Sequence, residues 1–174
     1  FVAQDLIKSF NKNYNVYFFT RKKIKKKNYF YFDLNKKNQN IDKIIKLKKI
    51  DYLFFFPSFV PLKEKNSSWE NCKNTNVYGL VRLLLNIKIK IKKIILSSSC
   101  SLYGEEKNQN NEVSFLKPSN GYSLSKLMQE NILRVYCYKN NIKFLSYRLG
   151  YIYGKRMSHK RLLKKLLLKN KANK

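Results

Sequence analysis

Residues 91–130 read IKKIILSSSCSLYGEEKNQNNEVSFLKPSNGYSLSKLMQE. The apolar run Ile91 to Leu96 predicts a strand, with a serine cluster after it. Asn108 to Asn111 reads as a polar loop, and Ser119 to Tyr138 as a helix with Ser119 as a candidate cap. The alternation continues outward. Upstream, Ala3 to Phe10 reads as a short helix, and Val16 to Thr20 and Tyr29 to Phe32 as strands. Ile41 to Lys49 reads as a helix with Ile41, Ile44, Ile45 and Lys48 at helical spacing, the lysine snorkelling at its edge. Tyr52 to Phe56 reads as an aromatic-rich strand, expected to be buried on both faces. Trp69 to Asn86 reads as a long amphipathic helix carrying Val77, Leu80, Val81, Leu84 and Leu85. Downstream come a strand, Lys143 to Arg148, and a basic, leucine-rich helix, Arg161 to Leu168. No internal repeat is present. Strands alternating with helices predict parallel β-α units, hence an α/β fold with a doubly wound parallel sheet. Ligands of such sheets sit beyond the C-terminal strand ends. The residues to inspect are therefore Arg21, Asp33, Pro57, Ser97 to Ser101, and Leu149 to Gly154.

Composition bounds the function. A chain of 174 residues, 44% apolar and 15% aromatic, fits one domain with a core and excludes a disordered polycation. The net charge of +28 first suggests nucleic acid. Yet Lys outnumbers Arg 32 to 6, and Lys, Asn, Ile, Phe and Tyr make up 92 residues, all with A/T-rich codons. Such a bias spreads Lys over every solvated face, whereas nucleic-acid readers place Arg at phosphate- and base-reading points. Only Arg21 to Lys27 and Lys155 to Lys174 are dense in basic residues, which argues against a nucleic-acid partner. Three Cys without a C-x-x-C pair exclude a disulfide framework and a zinc ribbon; the lone His159 excludes a histidine metal cluster. No metal site is expected. The Cys usage suits a reducing, cytoplasmic compartment. No apolar run approaches the ~18 residues of a membrane span; the longest, Tyr52 to Leu62, is broken by Pro57 and Pro61.

Tyr122 and Lys126 share one face of the predicted helix. A phenol has a pKa near ~10, and a nearby ammonium favours the phenolate; lowering it by ~3 units corresponds to ~4 kcal/mol. The phenolate could then take a proton from a substrate hydroxyl while a hydride leaves the same carbon. The spacing alone decides little, because this composition gives two or three Tyr-x-x-x-Lys matches by chance and three occur, at Tyr103, Tyr122 and Tyr151. Only Tyr122 opens a long helical pattern and follows a serine cluster.

That wider context resembles the extended short-chain dehydrogenase/reductase superfamily, the NAD(P)-dependent sugar-nucleotide epimerase/dehydratase group. IILSSSCSLYGE at 94–105 resembles its strand, Ser/Thr and Tyr-Gly segment; KPSNGYSLSKLMQE at 117–130 resembles its P-x-x-x-Y-x-x-S-K-x-x-x-E helix. YRLGYIYGKR at 147–156 resembles R-x-x-N-V-Y-G-P, and NVYGLVRLLL at 76–85 resembles N-V-x-G-T-x-N-L-L. DYLFFFPSF at 51–59 sits where the group has D-x-V-I-H-L-A-A, YFDL at 31–34 resembles its adenine contact, and residues 1–21 match the end of the glycine-rich turn, first helix and second strand. The resemblance implies a Rossmann-like, NAD(P)-binding domain over 1–174, truncated at both ends, with 157–174 starting a further helical segment. It makes Ser99 the catalytic Ser/Thr, Tyr122 the general acid/base, and Lys126 the residue that holds the cofactor ribose and lowers the Tyr122 pKa. It places Ala3 at the last glycine position of the phosphate loop, Arg21 at the ribose, Asp33 and Leu34 at the adenine, and Phe56, Pro57 and Ser58 beneath the cofactor. Leu149 adds to that cofactor set; Ser99, Cys100, Tyr122 and Tyr151 make up the substrate set. Asn76 is the group's helix Asn, with a mainly structural role. Plainer readings stay open: a polar loop at Ser97 to Ser101, a cap at Asp33, a solvated helix residue at Asn76.

The chain also departs from the group. The glycine-rich loop would precede Phe1, and family members run to roughly twice this length, so a fragment or a degraded gene product is expected. Thr20 and Arg21, followed by Lys22 and Lys23, replace the usual acid, which leaves NAD and NADP both open. Cys100 and Ser101 replace the Asp and Glu of the dehydratases, favouring epimerisation or reduction; Tyr151 stands for the usual Asn and Lys155 for Pro, which leaves the sugar open. The expected substrate is a nucleotide-diphosphate sugar. The resemblance also implies a homodimer through the two long helices. The rival functions are a non-sugar reductase, a basic nucleic-acid-binding module, and a catalytically silent relative.

Overall fold

A computed structural model of the chain describes residues 3, 6, 9–10, 14–36, 41–61, 68–104, 109–154 and 166. The chain divides into two compact units, one of residues 17–150 and one of residues 1–16 with 151–174. In the latter, Ala3, Leu6 and Ser9 are helical, and the Phe10 and Tyr14 rings meet edge to face at 5.8 Å. Apart from the helical Leu166, the tail helix expected at 161–168 lies outside the described residues.

The unit 17–150 alternates strand and helix from its second strand onward: β1 (Phe18–Thr20), β2 (Tyr29–Tyr31), α1 (Ile41–Ile45), β3 (Lys49–Phe55), α2 (Ser68–Cys72), a π-turn (Lys73–Tyr78), α3 (Gly79–Asn86), β4 (Lys90–Ser99), a 3₁₀ turn (Cys100–Tyr103), α4 (Gly121–Lys139) and β5 (Lys143–Leu149). Among the described residues every pairing is parallel; the β-α alternation predicts this for β3-β4-β5, whereas β1 and β2 are joined by residues 21–28 with no helix between them. The strands bond in two groups, β1 with β2 and β3-β4-β5 with β4 central. The core joins Ile94 and Leu96 of β4, Leu80, Leu83 and Leu84 of α3, and Leu133 and Cys137 of α4.

The structure corrects several expectations. Lys46 at φ +49° is left-handed, so α1 stops at Ile45 and the chain turns straight into β3. β3 is not buried on both faces: it is an edge strand, and Tyr52 is 55% exposed at the end of a row of neighbouring rings, Tyr52–Phe54 at 6.4 Å and Phe54–Phe56 at 6.2 Å. Ser97, Ser98 and Ser99 are not a loop after the strand. They extend β4, in register with Tyr147, Arg148 and Leu149 of β5. The helix expected over Trp69 to Asn86 is interrupted by the π-turn. The cap of α4 is Asn120 rather than Ser119. Asn120 Oδ1 accepts from the Ser123 backbone N–H at 2.9 Å, and Ser123 Oγ accepts from the Asn120 N–H at 3.1 Å, a capping box.

Candidate active site

Three segments meet at the C-terminal edge of the β3-β4-β5 sheet: Phe56 to Phe59 after β3, Ser99 at the end of β4 with the 3₁₀ turn that follows, and the first turns of α4. α4 packs on β4, on the 3₁₀ turn and on the π-turn. Ser99 Oγ caps the 3₁₀ turn, accepting from the Ser101 N–H at 3.2 Å and lying 2.9 Å from Ser101 Oγ. Gly104 ends that turn at φ +79°, where a Cβ would stand 2.7 Å from the Lys117 carbonyl; only glycine fits there.

Tyr122 is half-buried in the first turn of α4, and Lys126 lies one turn on, 1% exposed. Burial pulls the Lys126 ammonium down from 10.5 to about 8, and the Glu130 carboxylate opposes it. Its Nζ donates to Gln129 Oε1 at 2.9 Å, and Gln129 Nε2 donates to the Asn76 carbonyl at 2.8 Å. Asn76 is fully buried, not a solvated helix residue. Its side chain accepts from the Phe59 N–H at 2.6 Å and donates to the Phe59 carbonyl at 3.1 Å and to Ser125 Oγ at 2.8 Å. Ser125 in turn donates to the Tyr122 carbonyl at 2.7 Å. One asparagine thus ties the loop after β3 to the helix that carries Tyr122 and Lys126.

A buried lysine has a sign-definite effect on stability. Its folded pKa, about 8, lies below the unfolded value, so between about 8 and about 10.5 the unfolded chain binds the extra proton and stability rises with pH. Below that window the folded chain carries the whole cost, about 3 kcal/mol. Lys126→Met removes it but leaves the buried Gln129 Oε1 without its donor, at about 1–3 kcal/mol. The variant is expected to be more stable by up to about 2 kcal/mol at neutral pH, read as a higher urea midpoint, with a flatter pH dependence. A less stable variant contradicts this.

The remaining expected residues fall as follows. Asp33 and Leu34 follow β2; Asp33 Oδ1 accepts from the Asn35 N–H at 3.0 Å, a turn cap, and the Leu34 carbonyl accepts from Arg82 at 2.7 Å. Gly79 lets α3 approach this turn, since a Cβ there would stand 2.9 Å from Leu34 Cβ. Arg21 is exposed after β1 and Cys100 is exposed in the 3₁₀ turn. Leu149 is half-buried at the end of β5, paired with Ser99. Ala3 and Tyr151 belong to the other unit, where Tyr151 is 99% exposed. Phe56 is half-buried and Pro57 exposed. Ser58 Oγ is buried with no hydrogen-bond partner. An orphaned buried hydroxyl costs about 1–3 kcal/mol. Together with the ammonium of Lys126, which has three donors, it fits a ligand rich in hydroxyl and phosphate acceptors.

Sequence reasoning assigned no role to Gln129, Glu130, Arg148 or Tyr103. Glu130 Oε1 accepts from Ser146 Oγ and Arg148 Nε, and Glu130 Oε2 from Arg148 Nη2 at 3.0 Å. Arg148 Nη1 donates to the Tyr103 hydroxyl at 2.8 Å and to the Glu112 carbonyl. The signal was available: Tyr122, Lys126, Gln129, Glu130, Leu133 and Cys137 share one helical face, so its polar members point inward with its apolar ones. Among the described residues no group of three metal-ligating side chains occurs, and no helix is long and apolar enough to cross a membrane.

Solved structures of similar fold include MoeE5 in complex with UDP-glucose and NAD (TM-score 0.81, 18% identity, 96% of this chain and 56% of that one). UDP-glucuronic acid 4-epimerase from Bacillus cereus in complex with NAD aligns with TM-score 0.70 and 22% identity over 84% of this chain and 45% of that one. RMD from Pseudomonas aeruginosa complexed with NADPH aligns with TM-score 0.69 and 18% identity over 77% and 47%. The chain spans about half the length of these proteins. A search of curated proteins finds no match. The fold of these structures is the α/β, Rossmann-like one seen here, and the family model of the NAD dependent epimerase/dehydratase family matches residues 1–174 throughout: the chain belongs to that family.

Proposed function

We propose that this chain is part of an NAD(P)-dependent epimerase or reductase acting on a nucleotide-diphosphate sugar, with residues 1–174 contributing to its NAD(P)-binding domain. The observation that carries the reading is the buried Lys126, one helical turn from Tyr122, in a helix packed on the turn that starts at Ser99. The nicotinamide, when bound, supplies the hydride acceptor and donor. Tyr122 takes the proton of the reacting sugar hydroxyl and returns it. Lys126 holds the cofactor ribose and favours the phenolate by its charge. The Ser99 hydroxyl orients the reacting oxygen. Ser58 meets the cofactor from the loop after β3. Arg21, with Lys22 and Lys23 exposed behind it, suits a 2′-phosphate as well as it suits plain NAD. Similar structures hold UDP-sugars, which supports that substrate class. Three free cysteines suit a reducing compartment such as the cytoplasm.

The test is incubation of the purified protein with NAD or NADP and a panel of UDP-sugars, with epimers and reduced products read by NMR. Conversion of one sugar is expected; conversion of none, in a protein shown to bind the cofactor, overturns the reading. The rival nucleic-acid reading needs one basic face, whereas the exposed lysines lie on the β1–β2 loop, α1, β4, α4 and β5. Tight, steeply salt-dependent RNA or DNA binding would favour it.

A homodimer completes the proposal. Tyr78 at the end of the π-turn, Leu85 on α3, and Leu124, Val135 and Tyr138 on α4 are exposed large apolar side chains. A second copy covers them. Wild-type protein is expected to sediment as a dimer and Val135→Glu as a monomer; a monomeric wild type overturns the assignment.

A further inference from the structure

Gln129 lies on the buried face of α4, and this chemistry does not use it. Gln129 is 0% exposed. A carboxamide buried that deeply must satisfy both of its ends. Its Nε2 is fixed by the Asn76 carbonyl, so Oε1 faces the Lys126 ammonium. The flipped amide would set its own N–H groups against the ammonium and its oxygen against a carbonyl oxygen, so only one orientation is compatible with both neighbours.

The anchor is built by the π-turn. A π-turn loosens the regular helical ladder, and two carbonyls of this one take side-chain donors: Asn74 from Arg82 at 3.2 Å, Asn76 from Gln129. The same Asn76 grips Phe59 by both its backbone groups. The support behind Lys126 is therefore continuous with the loop that carries Ser58.

We propose that Gln129 is a positioning residue for Lys126: anchored on the π-turn, it holds the ammonium behind Tyr122 and favours its charged form by accepting a hydrogen bond from it. The inference rests on the Tyr122–Lys126 reading of the site. Burial penalises that ammonium and the Glu130 charge opposes the penalty; an acceptor hydrogen-bonded to the charged form acts in the same direction. The charged and titratable groups around it are Glu130 and Tyr122 on its own helix, with Arg148 of β5 paired to Glu130; the π-turn faces it with the neutral Asn76.

The first measurement uses the wild-type protein. Followed by NMR, the Gln129 side-chain amide signals are expected to titrate with the same midpoint as Lys126 Nζ, near pH 8. Signals that stay flat while Lys126 titrates overturn the proposal. In Gln129→Met the Lys126 midpoint is expected to fall by about one pH unit, because the acceptor is gone while burial remains. A side chain that merely fills space would, on removal, admit water and raise the midpoint, so a rise or no change overturns the proposal. Gln129→Glu is expected to raise it, by placing a carboxylate at the ammonium; a fall there overturns it too. None of these readouts needs cofactor or substrate. A protein that titrates as expected but turns over no sugar refutes the catalytic reading and leaves the Gln129–Lys126 pair standing.

Discussion

Tyr122→Phe is expected to lower turnover by about a hundredfold to ten-thousandfold, the range set by losing a positioned general acid/base. The variant removes one oxygen and keeps the ring, so the packing of the first turn of α4 is preserved. Its cap, Asn120 with Ser123, uses no atom of the Tyr122 ring. Lys126 stays on Gln129, and Asn76 stays on Ser125 and Phe59, so the contacts around Lys126, proposed to hold the cofactor ribose, survive. Cofactor affinity is therefore expected to change by less than about threefold, a difference of under ~0.7 kcal/mol. A split of this kind, kcat lost with cofactor binding kept, distinguishes a chemical role from a structural one. Turnover equal to the wild type would remove Tyr122 from the mechanism and make its spacing from Lys126 one of the chance matches expected for this composition.

What was legible in the sequence was local. The Tyr122–Lys126 pair, the strand at β4 and the length of α4 follow from spacing within one element, where side-chain periodicity and burial agree. The early end of α1 at Lys46 and the shift of the α4 cap to Asn120 are local, but in the other misreadings a distant segment decided the local structure. Serine is a weak strand former, yet Ser97 to Ser99 continue β4 because β5 offers a parallel partner. Asn76 was expected in a mainly structural role, but its partners Phe59 and Ser125, 17 and 49 positions away, could not be read from its neighbours. The π-turn around it has no signature in KNTNVY. Arg148 reaches back 45 positions to Tyr103, and Gln129 back 53 to Asn76, so neither role could be read from its neighbours in sequence. The motif residues were visible; of their supports, helical spacing showed that Gln129 and Glu130 point inward but not what they meet there. Binding and catalysis can be copied as short patterns, whereas the supports are properties of the packed chain.

The costliest of those supports to remove is Glu130. It is 1% exposed, and its partner Arg148 is largely buried as well. Burial alone would raise the Glu130 carboxyl; donors from Arg148, Ser98 and Ser146 outweigh it and hold the group below the usual carboxylate range. The Ser98 hydroxyl acts on the carboxylate from close by, although it makes no well-formed hydrogen bond. The sign follows from the lowered folded value: the stabilisation is present above the ordinary pKa near 4.5 and is lost as pH falls through the lower, folded one. Glu130→Gln keeps the shape and strands a guanidinium on the inside of the fold. Breaking a buried pair from one side costs about 3–5 kcal/mol, a large share of the 5–15 kcal/mol a domain has. The loss is expected as a lower urea midpoint with a weaker acid dependence. Arg148 also holds Tyr103 and the Glu112 carbonyl, so the turn that begins at Ser99 is expected to loosen with it. The double variant Glu130→Leu with Arg148→Met separates the two effects. Replacing both charges by apolar groups removes the stranded cation, and most of the stability is expected to return while the 3₁₀ turn stays untethered. If the double variant is as unstable as the sum of its parts, the pair is not coupled, and Glu130 and Arg148 hold the fold through separate contacts.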